Sequence, residues 1–165
     1  MGRLAVQKGA ADIIGIKTAG SYLPAESVRK WMAFFSAQDE SCQHPAQKII
    51  TAAGGKDKLN ATEDSGYPAT YYAVVDYAHK VPSPANSTGW FLPSIGQMWN
   101  VYQNRASLFE GKTVVSGLKS DWYWSSSEFC NSPARYALYV RVLAGLVDSN
   151  PKDSRDSYVR PVLAF

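Results

Sequence analysis

Histidine and cysteine are scarce: the 165-residue chain holds two of each, His44, His79, Cys42 and Cys130. Two histidines without metal-type spacing build no zinc site, and neither lies near a G-x-S-x-G run. His79 falls at the end of an expected helix, where a cation suits the last carbonyls. The cysteines form no CxxC pair and no disulfide framework; spacing leaves open whether they bridge each other. No glycine loop followed by Lys-Ser/Thr is present to cradle a phosphate. The 17 basic and 14 acidic residues leave a net charge of +3 with no Lys/Arg run, which argues against a nucleic-acid partner. No apolar run approaches the ~20 residues of a membrane span, and the stretch within Met1–Ile16 is short for a signal peptide. Asp12, Glu26, Asp39, Glu40, Glu63 and Asp64 are dispersed, so local spacing sets no acid–base pair. The expectation is a protein without catalytic machinery, cofactor, metal or membrane insertion.

What the chain has instead is aromatic side chains: five Trp, ten Tyr and six Phe, 13% of residues. These suit a rigid core with amphipathic rings left over for a binding face. Hydrophobic content of 45% and charged content of 19% are ordinary for a globular fold, and the length fits one domain over residues 1–165.

Periodicity divides the chain into a helical front and a β-rich back. Asp12–Ile16 is short and β-branched and reads as a strand, and Leu23-Pro24 opens a helix carrying Val28, Met32 and Phe35 on one face. A second helix follows His44-Pro45, with Ala46, Ile49, Ile50 and Ala53 at helical spacing before Gly54-Gly55 stops it. Pro68 starts a third, striped by Tyr71, Val74, Val75 and Ala78. In Trp90–Gln97, Ser94 and Gln97 have the spacing of a capping box, which predicts a helix over about 94–104 with Ile95, Met98, Trp99 and Tyr102 turned inward. Thr113–Val115 is a weak strand. Trp122–Glu128 is aromatic and hydroxyl-rich, better suited to a strand or bend than a helix; Ser125, Ser126 and Ser127 offer hydroxyls with no assignable base, and Glu128 reads as a ligand or, in preference, a buried hydrogen-bonding residue. Along Ala137–Val142, Leu138, Val140 and Val142 point one way and Tyr139, Arg141 and Leu143 the other. Gly145 marks a turn, Leu146-Val147 begins the return strand, and Asp148–Ser157 reads as a loop or irregular strand end. Tyr158–Phe165 closes the chain as a strand, with Pro161 at an edge or bulge.

The blocks Gly89-Trp90-Phe91-Leu92-Pro93-Ser94-Ile95-Gly96-Gln97-Met98, Tyr123-Trp124-Ser125-Ser126-Ser127-Glu128, Gly145 and Tyr158–Phe165 follow one another in an order that resembles a known family. It is the bacterial and phage domain family found at the C-terminus of Legionella collagen-like protein, in particular the Bacteroides-type variable proteins of diversity-generating retroelements. The match covers residues 61–165; residues 1–60 form an N-terminal elaboration. The resemblance implies an α+β, C-type lectin-like fold: two main helices flanking a small twisted antiparallel sheet, the chain ends brought together in it, with additional N-terminal helices. It implies a non-enzymatic ligand-binding display protein, on a phage virion or bacterial cell surface, whose C-terminal face meets a protein or glycan ligand and is diversified at adenines.

Composition agrees with that last implication. An Asn codon altered at its adenines cannot yield Lys, Glu, Gln, Met or Trp. Those five types make up 28 of residues 1–128, a rate that would place about six in residues 129–156, and only Lys152 is found there. Residues 129–156 are therefore the expected variable region. The resemblance assigns ligand contact to Phe129, Cys130, Asn131, Ser132, Arg135, Tyr136, Tyr139, Arg141, Leu143, Leu146, Asp148, Ser149, Asn150, Asp153, Ser154, Arg155 and Asp156. Two other readings stay open: an invariant structural or adhesive domain of the same fold, and a distant formylglycine-generating-type oxidase using Cys42 and Cys130. The calcium-ligand triplets of sugar-binding lectins are absent, so calcium-dependent sugar binding is unsupported.

Overall fold

The structure is a computed structural model and describes residues 4–5, 44–62, 66–104 and 118–165. The expected strand at 12–16, the helix after Leu23-Pro24, the strand at 113–115 and Cys42 lie outside the described residues. Within them the chain is α+β: a few helices and a small antiparallel sheet. No helix among the described residues is long and apolar enough to cross a membrane.

Strand β1 (Leu4–Ala5) pairs antiparallel with the last strand, β5 (Leu163–Ala164), so the two ends of the chain meet in a two-stranded sheet. Helix α1 (His44–Ala52) stops at Gly54-Gly55 as expected. Helix α2 is α-helical over Pro68–Tyr71, widens to a π-helix over Tyr72–Asp76 and returns to α over Tyr77–Lys80. His79 and Lys80 occupy its last turn, the favourable end for cations. Helix α3 (Ile95–Gln103) begins with the capping box: the Ser94 hydroxyl accepts from Gln97 N at 3.3 Å, and Ser94 N donates to Gln97 Oε1 at 2.8 Å.

Strands β2 (Trp122–Glu128), β3 (Tyr136–Arg141) and β4 (Leu146–Pro151) form one antiparallel sheet with β3 in the centre. β4 therefore runs on through Asp148–Pro151, the strand-end alternative of the reading for that polar segment. The closing strand expected over 158–165 is instead shared among three partners. Tyr158 bridges β2 at Tyr123, Val162 bridges Phe91, and only Leu163–Ala164 reaches β1.

Cross-strand register gives the sheet two different faces, and both are covered. Tyr123, Leu138, Val140, Val142 and Val147 pack with Ile95, Met98 and Val101 of α3. On the opposite face Trp124, Tyr139 and Val159 pack with Leu59, Leu92, and Ala73 and Val74 of α2. Full burial of a Val or Leu is worth about 1.5–3 kcal/mol, so each layer fixes the sheet from its own side. The β3–β4 turn closes on Gly145 (φ +66), whose Cα faces the end of the Tyr102 ring with no room for a Cβ.

Candidate ligand-binding site

The expected contact residues do not form one face; the fold sorts them into two ends of the sheet and an edge. Phe129, Cys130, Asn131, Ser132, Arg135 and Tyr136 lie in or beside the β2–β3 turn, with Asn150, Asp153, Ser154, Arg155 and Asp156 on the segment that leaves β4 next to it. Backbone bonds join the two: Lys152 N donates to Arg135 O at 2.8 Å. Arg141, Leu143 and Leu146 belong to the opposite, β3–β4 end. Six residues of strand separate the ends, about 17 Å at ~3.4 Å per residue. Asp148 and Ser149 lie on β4, whose outer edge has no strand partner among the described residues.

One assignment is overturned. Tyr139 lies on the side of β3 expected from the alternation, but that side is not open: the residue is 6% exposed. Its ring stacks on Trp122 at 4.3 Å and lies 5.7 Å from Trp124, beneath residues supplied by the 59–74 segment. Tyr139 is a core residue. Arg141 is half-buried rather than displayed, its Nε donating to Ser120 O at 3.2 Å. Phe129 and Tyr136 are also half-buried and meet edge to face, Phe129 against the α3 layer. Leu146 is half-buried, whereas Leu143 is 38% exposed. Cys130, Asn131, Arg135, Asp153 and Arg155 are exposed; Ser132, Asp148, Ser149, Asn150, Ser154 and Asp156 are partly covered. Cys130 is a free thiol beside Asn131 Oδ1.

At the first of these ends the sheet opens into a cleft of about 400 Å³, the size range of small-ligand sites. Its cause is local. Between the Trp124–Tyr139 and Glu128–Ala137 pairs, Ser125, Ser126 and Ser127 stand opposite Leu138 alone, a bulge that bends the strand away. The three serines then diverge. Ser125 Oγ donates to Leu138 O at 2.7 Å, Ser127 Oγ accepts from Ile95 N at 3.1 Å, and Ser126 N donates to Pro93 O at 2.8 Å. The buried Ser126 hydroxyl has no partner among the described residues, and neither does that of Ser157. Both residues line the cleft, as do Asp153, Ser154 and Arg155 of the expected set.

Glu128 and Lys152 form an ion pair at its rim, and Glu128 is exposed rather than a buried hydrogen-bonding residue. Asp148, on the neighbouring edge, has its carboxyl pushed above the usual range by burial, partly offset by the Ser149 N–H donating to it at 2.7 Å. Among the described residues no group of three His, Cys, Asp or Glu side chains could hold a metal ion.

Reading along the chain singles out neither Ser157 nor the cleft's Tyr67 and Tyr72. The serine run was visible, but only the bulge shows which hydroxyl is left over. No family model, curated protein or solved structure matches the chain.

Proposed function

We propose that this chain is a non-enzymatic ligand-binding display protein with a C-type lectin-like fold, a variable protein of a diversity-generating retroelement carried on a phage or bacterial surface. The observation that carries the reading is how residues 129–156 are held. The β2–β3 turn is built from main-chain bonds: Ser132 N to Phe129 O, Arg135 N and Tyr136 N to Ser132 O, and Lys152 N to Arg135 O, all between 2.8 and 3.1 Å. The β3–β4 turn closes in the same way, with Ala144 N and Gly145 N donating to Arg141 O. Such bonds are indifferent to most side chains, while Leu138, Val140, Val142 and Val147 anchor the strands inside. Exposed residues away from special geometry usually change stability by less than about 0.5 kcal/mol. A backbone so fixed can present many alternative surfaces at little ordering cost on binding.

The meeting of β1 with β5 and the placing of helices on both faces of a small sheet are compatible with the lectin-like reading. The ligand-facing surface is the end formed by Cys130, Asn131, Arg135, Asp153 and Arg155; its partner is a protein or glycan on another surface.

A library randomised at those five positions tests this. Most members should fold with melting temperatures within a few degrees of the parent, and selection against an unrelated protein should recover specific binders. Widespread loss of folding, or no binders from a well-folded library, would overturn it.

A further inference from the structure

The proposed contact surface is assembled from two separate stretches of chain. Cys130, Asn131 and Arg135 stand on the β2–β3 turn, and Asp153 and Arg155 on the segment that follows β4. A surface in two pieces keeps its shape only if the pieces hold one placement while their side chains change. The second piece is tied by Lys152 N to Arg135 O at 2.8 Å, by Ser154 N to Pro151 O at 3.0 Å, and further on by Tyr158 N to Trp122 O at 2.8 Å. The Asn150 Nδ2 bond to Ser154 Oγ at 2.9 Å joins two residues expected to vary, so it is lost when either does.

Two independent observations set Lys152 apart. In composition, it is the one residue of 129–156 that an Asn codon altered at its adenines cannot yield. In structure, its ammonium pairs with the carboxylate of Glu128, the last residue before that window, and Glu is equally out of reach of such a codon. The pair reaches across β3. Glu128 stands opposite Ala137 of β3, and Lys152 bonds the same stretch of chain two residues earlier, at Arg135. β2 and β4 are two strand spacings apart, about 10 Å, a span that two long side chains close. Ala137 lines the same cleft as both and has nothing beyond Cβ to stand between them.

We infer that Glu128 and Lys152 are a fixed pair of positioning residues, clamping the segment after β4 to the end of β2 so that the two pieces of the binding surface keep their relative placement while the residues around them vary. The inference rests on the display reading above and deepens it. An exposed ion pair adds little to global stability. A turn outside the strands opens and moves more readily than the sheet, so the pair is felt in the placement of 153–156.

Backbone NMR relaxation of the isotope-labelled full chain tests this. In Glu128→Gln, order parameters at residues 153–156 should fall from the ~0.85 of rigid backbone toward the flexible range, while those of Leu138 and Val140 stay put. The melting temperature should drop by no more than about 4 °C. Lys152→Arg should match the parent, and the exchanged pair Glu128→Lys with Lys152→Glu should restore the order that Glu128→Gln loses. A second readout uses clones selected on streptavidin from the five-position library. Glu128→Gln should weaken their binding about 1.5- to 5-fold, the worth of an exposed ion pair, and the exchanged pair should recover it; a direct contact to the target would not survive reversal of both charges. Unchanged order at 153–156, a loss shared with Leu138 and Val140, or no recovery in the exchanged pair would overturn the inference. A library that folds and yields no binders sinks the display reading, and the relaxation data then decide the clamp by themselves.

Discussion

Replacing Gly145 with alanine probes the turn between β3 and β4. Gly145 has φ +66, a region that costs a residue with a Cβ roughly 1–2 kcal/mol. The added carbon would lie 2.6 Å from Cε2 and Oη of Tyr102 and closer still to its Cζ. That is ring and not backbone, so Tyr102 can swing aside. It is itself packed, however, with its centroid 4.7 Å from that of Trp99, and overpacking costs typically about 1–3 kcal/mol. Gly145→Ala should therefore lose about 2–5 kcal/mol in urea unfolding, which for a chain of this size lowers Tm by about 4–20 °C. Made in a Tyr102→Leu background, the same change should cost only the backbone part, about 1–2 kcal/mol. A loss below ~1 kcal/mol in the parent, or equal losses in the two backgrounds, would refute the reasoning.

Two further predictions concern the edge strand and α3. Burial raises the Asp148 pKa above its unfolded value, so the ionised folded state is penalised at neutral pH and the protonated one is not. Asp148→Asn, which keeps an acceptor for Ser149 N, should be more stable than the parent at pH 7. The gap should close as pH falls through the raised pKa to below the unfolded value of ~3.9; a gap that widens on acidification refutes this. At α3, Ser94→Ala removes a hydroxyl that accepts at 3.3 Å and should cost about 0.5–2 kcal/mol. Gln97→Ala strips the acceptor from the buried Ser94 N–H, held at 2.8 Å, and should cost about 1–3 kcal/mol; denaturant melts showing the reverse order would contradict the assigned roles.

What could be read from the chain was local. The capping box needs only Ser94 and Gln97 three residues apart, and the β3–β4 hairpin needs only the alternation and Gly145. Tyr139 marks where such reasoning stops: a period of two gives the side of a strand but not what lies on that side. Here the cover comes from Leu59, Ala73 and Val74, more than sixty residues upstream. Asp148–Pro151 reads equally as a loop or a strand end, because an edge strand tolerates the same polar residues as a turn. The end of the chain looked like one strand because its apolar residues do pair, though with three different segments. The cleft was illegible for a related reason. It opens where the bulge bends β2, and which of the three serine hydroxyls finds a backbone partner there depends on Leu138 and on the start of α3.

The central claim is tested most directly by sequencing the coding locus in independent isolates together with its flanking DNA. The account predicts substitutions concentrated in the codons for residues 129–156, sparing Leu138, Val140, Val142 and Val147, beside a near-copy of the segment that differs at adenines. Substitutions spread evenly along the gene, with no such copy nearby, would contradict it.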